Sequence, residues 1–155
     1  MSTPPAASRW RSNGIRVIRA GELDANTPQT PGMQRRAAVT TESAGALGLW
    51  AGTVTIDAGA KTGAHHHGDL ESVIYVVSGV ARLRWGDRLE FAAEAAAGDF
   101  IYVPPYVPHQ EINAGADLAL HCVLARSGQR GLVVNLDIEA VETPELVRWI
   151  DDLHR

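Results

Sequence analysis

Three consecutive histidines, His65-His66-His67, sit between Gly63-Ala64 and Gly68-Asp69. A fourth, His109, follows a stretch containing Pro104, Pro105 and Pro108. Neutral imidazole is the commonest metal ligand, and a carboxylate completes many non-heme iron sites. In extended backbone, residues two apart point to one face. At ~3.3 Å rise per residue the Cβ atoms of His65 and His67 lie about 6.6 Å apart. Both rings then reach one ion through bonds of ~2.0–2.1 Å. His66 points the other way and is expected on an outer face or loop.

The prolines before His109 fix φ and stiffen the approach to it, so a ligand there is held before an ion arrives. Glu111 has the parity of His109 and shares its face on a regular strand, as a further ligand or as a base.

The spacing runs Gly59, five residues, His65-x-His67, three residues, Glu71, then Gly79; and Gly98, five residues, Pro104, four residues, His109, three residues, Asn113. This resembles the paired motifs of the cupin superfamily. The resemblance implies an all-β double-stranded β-helix, the RmlC-like jelly roll. It also implies one divalent transition metal per chain, held by His65, His67, Glu71 and His109. Iron, manganese, nickel and zinc all suit such ligands. Two departures stand out. Tyr106 occupies a position where the family usually has Gly, so either the turn differs or the phenol is used. Seven residues separate Glu71 from Gly79, one more than usual, so counting back from Gly79 reaches Ser72. A bulge would restore Glu71.

This fold hosts dioxygenases, decarboxylases, isomerases and sensory modules, so it does not fix a reaction. The leading expectation is a mononuclear site for a small organic anion or hydroxylated molecule. Three histidines and a carboxylate leave positions of an octahedral ion open for substrate and dioxygen, which fits an oxygenase. Glu111 and Tyr106 are then the candidate catalytic residues, as proton carriers. The alternatives are a non-catalytic small-molecule binding or sensing protein, and a metal-free isomerase or epimerase using the histidines as acid and base.

The elements that must position these groups are strands. Fifteen Gly and eight Pro in 155 residues point to many turns. Strands are expected at 15–18, 47–56, 72–77, 80–85, 100–103, 118–125 and 132–138, with a hairpin turn at 85–88 and a long loop over 21–32. Ala81, Leu83 and Trp85 alternate with Arg82 and Arg84, the mark of a half-buried strand. Thr143 and Pro144 open an expected C-terminal helix with Leu146, Trp149, Ile150 and Leu153 on one face. The organisation reads as a flexible N-terminal arm over 1–14, a barrel over 15–142, and that helix over 143–155 packed on the barrel.

Fourteen basic against eighteen acidic residues give a net charge of −4, without the basic surplus of a nucleic-acid binder. Cys122 is the single cysteine, expected as a buried small hydrophobe. The N-terminus lacks the apolar core of a signal peptide, and no run of 18 apolar residues exists, so a cytoplasmic protein without membrane contact is expected. His121 lies opposite the apolar face of Leu118, Leu120, Cys122 and Leu124, as a pocket residue or an exposed one, and His154 is expected in solvent. Trp50, Tyr75, Tyr102 and Tyr106 are candidates to line a pocket, with the first three expected instead in the core. Val73–Val77 is apolar on both faces, which predicts a homodimer.

Overall fold

The computed structural model describes residues 10–147. Two sheets face each other. One has the order β1 (Met33–Val39), β2 (Trp50–Ile56), β9 (Leu120–Arg126), β4 (Ser72–Ser78) and β7 (Phe100–Val103). The other runs β10 (Val134–Asn135), β3 (His65–His66), β8 (His109–Asn113), β5 (Val80–Trp85), β6 (Phe91–Ala96) and β11 (Glu145–Leu146). Neighbours pair antiparallel except β11, which lies parallel to β6. This is the expected jelly roll.

Alternation builds the core. Ile74 and Val76 of β4, Leu120, Cys122 and Leu124 of β9, and Val54 and Ile56 of β2 point inward from the first sheet. Ala81, Leu83 and Ala95 meet them from the second. Each large aliphatic side chain removed from water contributes roughly 1.5–3 kcal/mol. The outer face of β4 leaves Val73 and Val77 exposed, beside Val123 of β9 and Phe100 and Tyr102 of β7.

Several elements differ from expectation. Residues 15–18 belong to neither sheet; Ile15 and Val17 stand in solvent with no apolar surface to cover. The barrel begins instead at β1, whose run Gln34-Arg35-Arg36 hides the strand because polar groups occupy both faces. Its inward side is nevertheless set by Met33 and Ala37, both buried, opposite Ile56 and Gly52. A four-residue helix, α1 (Thr41–Ala44), follows; the Thr40 side chain accepts from the Ser43 N–H, and Gly45 ends the turn at φ 67°. The strand expected over 132–138 shrinks to β10. Where the C-terminal helix should begin, Glu145 and Leu146 extend the second sheet: the Glu145 N–H donates to the Glu90 carbonyl and the Val147 N–H to Ala92. The rest of that segment, 148–155, and residues 1–9 of the arm lie outside the described residues.

Candidate metal centre

Short β3 and β8 pair antiparallel with His65 opposite His109. Directly opposed residues share a face, so one register match places two imidazoles together. His67, two residues on, returns to the same side as His65. The three rings are buried, with centroids 4.4 Å (His65 to His109), 4.9 Å (His65 to His67) and 5.4 Å (His67 to His109) apart. Their ligand nitrogens all lie within 4.8 Å of one another.

The hydrogen bonds define which nitrogens face the centre. His65 Nδ1 lies 2.9 Å from the Gly63 carbonyl, His67 Nδ1 2.8 Å from Leu132, and His109 Nδ1 2.9 Å from Val107. A carbonyl only accepts, so each Nδ1 carries a hydrogen, and in the neutral ring Nε2 is the nitrogen with the lone pair. His109 Nε2 is buried and has no hydrogen-bond partner. Backbone carbonyls orienting imidazoles through the far nitrogen are the usual outer support of a metal site. Burial, with the Arg126 charge second, pulls the His67 pKa down to about 4. Burial also lowers that of His109. These two rings are therefore neutral at pH 7, and an ion need not displace their protons. The donor set fits a divalent transition metal.

Glu71 does not join the cluster. Its carboxylate is exposed and accepts the Tyr102 hydroxyl at 2.7 Å on the outside of the barrel. No bulge intervenes between Ser72 and Val76: the pairing of β4 with β9 is regular from Ser72↔Arg126 to Val76↔Cys122. Ser72 therefore takes the inward position, buried with its hydroxyl unpartnered, and Glu71 takes the outward one. Parity along β4 decides the matter: the register shift of this strand falls later, between Val76 and Ser78, and does not turn Glu71 inward.

Glu111 does face inward, opposite buried Leu83. It borders a void of about 20 Å³ among Val54, Ile74, Leu83 and Cys122, room for roughly one water. It is not one of the residues lining the large cavity. Burial pushes its pKa up, but His109, His65 and Arg35 outweigh this and hold it below the ordinary carboxylate range. It acts as a fixed negative charge behind the histidines.

Tyr106 keeps the backbone of the glycine it replaces, with φ 61°, and its N–H donates to the Gly68 carbonyl at 2.7 Å. The phenol is 64% exposed and its ring packs 5.9 Å from that of His66, away from the cluster. The turn is thus preserved, and the hydroxyl is not placed for proton transfer at the three histidines. His66 points outward as expected, its Nδ1 accepting from the Gly68 N–H at 2.9 Å. His121 is exposed, bonds Thr55 Oγ1 at 3.1 Å and lines neither the small void nor the large cavity. Cys122 is buried, its thiol pushed up to about 11 by burial.

His65 and His67 open onto a cavity of about 400 Å³, also lined by Arg35, Trp50 and Arg126. Sequence reasoning missed both arginines. The signal was present: Leu120, Cys122, Leu124 and Arg126 form one inward series on β9. An arginine ending an apolar series points into the barrel, not out of it.

Residues 52–125 match the Cupin domain family. No curated protein sequence matches the chain. Among solved structures, KdgF from Halomonas sp. is 21% identical, with TM-score 0.59, over 75% of this chain and 96% of that one. The polyketide cyclase RemF from Streptomyces resistomycificus is 20% identical, with TM-score 0.67, over 84% and 89%. Oxalate decarboxylase from Bacillus subtilis, with its Mn(II) centers, is 24% identical, with TM-score 0.62, over 76% of this chain. The match spans 31% of that longer protein. At these identities the structures establish the fold. The segment 52–125 thus carries the match to the Cupin domain family, and the two-sheet barrel around it has the cupin fold.

Proposed function

We propose that this chain is a mononuclear metalloenzyme acting on a small organic molecule in the cavity beside His65, His67 and His109. One observation carries the reading: three buried imidazoles, each with Nδ1–H committed to a backbone carbonyl, turn their remaining nitrogens toward one point. Burying an imidazole nitrogen without a partner costs the fold, and His109 Nε2 is left so. A bound ion offsets that cost.

Manganese(II), the metal named for the Bacillus oxalate decarboxylase, is compatible with these ligands, as are iron, nickel and zinc. When bound, the ion supplies Lewis acidity and leaves coordination positions open, since the protein provides three ligands. The residues of the chain do the rest. The histidines fix the ion's place, and the Gly63, Leu132 and Val107 carbonyls hold their tautomers. Glu111 offsets part of the positive charge from the core side.

The test is metal analysis of untagged protein. Stoichiometric transition metal is expected in the wild type, and at least a tenfold lower content in His65→Ala and His109→Ala, with far-ultraviolet circular dichroism unchanged. Retention of the metal by both variants refutes the assignment.

A further inference from the structure

Arg126 is the most unusual group in the molecule outside the histidine cluster. It ends β9 on the inward face, opposite Trp50 and buried Ser72. Its Nε is buried without a hydrogen-bond partner. Neither ion pair among the described residues, Arg82–Glu94 or Arg130–Asp69, involves it. Its guanidinium carbon sits 5.3 Å from the centre of the Trp50 ring, which supports one face of the fork and leaves the N–H edges for another partner. Arg35 comes from β1 to the same cavity, opposite buried Val54, and its Nη1 donates to Thr30 Oγ1 at 3.1 Å.

Two guanidinium groups in one cavity repel each other, and burial penalises the charge of Arg126. Among the described residues, Glu111 is the carboxylate whose charge acts on Arg126, and it lies on the core side. Two arginines against one carboxylate leave the cavity wall with an excess of positive charge, and a divalent ion raises it further. A half-buried guanidinium without an ion-pair partner adds little to the fold that an apolar side chain of its size would not. Its natural complement is a planar carboxylate, which it binds through two parallel N–H···O bonds.

We infer that the cavity is an organic-acid site, in which Arg126, backed by Trp50 and seconded by Arg35, receives a carboxylate of the ligand while the rest of the ligand reaches the three histidines. The volume of about 400 Å³ lies at the small end of the ~300–1,000 Å³ typical of small-molecule sites. Gln29, Thr30 and Asn135 add neutral hydrogen-bonding groups to the wall. The inference specifies the substrate class of the site proposed above and rests on that reading for its location, though its test does not.

Isothermal titration with malonate and succinate, in metal-loaded and metal-free protein, decides it. Wild type is expected to bind at least one of the two. Arg126→Met should weaken binding tenfold or more in both forms at unchanged metal content, and Arg126→Lys, which keeps charge but not the fork, should fall between. Arg35→Met, at a more peripheral position, should lose less and serves if Arg126→Met does not fold. The inference is overturned if wild type binds neither acid, if Arg126→Met and Arg126→Lys bind within twofold of wild type, or if inorganic phosphate binds more tightly than both acids. Metal present with Arg126 irrelevant removes this inference alone. Arg126-dependent binding in a wild type that takes no metal removes only the metal reading.

Discussion

Acidifying the metal-free protein should destabilise it through His67 in particular. Burial and Arg126 hold this ring's pKa at about 4, against 6.5 in an unfolded chain. Above pH 6.5 the ring is neutral in both states and no penalty applies. As pH falls, the unfolded chain takes the proton first, so stability declines from about pH 6.5 and the loss is complete below about 4. The full drop corresponds to about 3 kcal/mol. His67 borders the open cavity, where water screens charge, and about half of that, ~1–2 kcal/mol, is the expected effect. Urea unfolding of chelator-treated wild type and His67→Gln at pH 7.5 and 4.5 isolates it, because glutamine does not titrate and its amide can still donate to the Leu132 carbonyl. Wild type should lose ~1–2 kcal/mol more than the variant between the two pH values. Equal losses would refute the claim that His67 is held neutral by its surroundings.

Two further outcomes follow from single residues. Tyr106→Gly should raise stability by about 0.5–1 kcal/mol: relief of ~1–2 kcal/mol of left-handed strain, partly offset by glycine's entropy and the lost contact with His66. A fall in melting temperature would show that the ring contact outweighs the strain. Asn113→Ala should cost roughly 2–4 kcal/mol, measured by chemical unfolding, with metal content retained. The buried amide donates to the Ile56 and Leu118 carbonyls and accepts from the Gly115 N–H, all of which lose their partner.

The parts of the site legible in the sequence were those governed by parity and fixed spacing. His65, His67 and His109 could be placed because a period of two and a proline-stiffened turn leave few options. Glu71 could not, because one residue of offset from Gly79 decides between the inside and the outside of β4, and only the observed register with β9 settles it. For the same reason Glu111 was read correctly as inward but not as lying behind the histidines, since depth along the barrel axis has no sequence signature. Arg35 and Arg126 were overlooked because charged residues are ordinarily read as solvent-facing. Their inward direction follows from Met33 and Ala37 on one strand and Leu120, Cys122 and Leu124 on the other. The segment 15–18 failed in the opposite sense: a short apolar run lacked any surface to pack against. At Glu145 and Leu146, pairing with Phe91 and Ala92 along an open sheet edge overrode local helical preference.

The carbonyl that holds His67 belongs to Leu132, sixty-five positions along the chain and past the end of the segment shared with the family. Leu132 also lies over Gly68, where any added methyl group would strike its side chain at 2.3 Å. A fragment cut back to the shared segment would retain all three imidazoles of the cluster while freeing one to swivel. Comparing ion affinity in that fragment and in the intact chain would reveal how far recognition of the metal depends on a peripheral strap that the family's common core does not include.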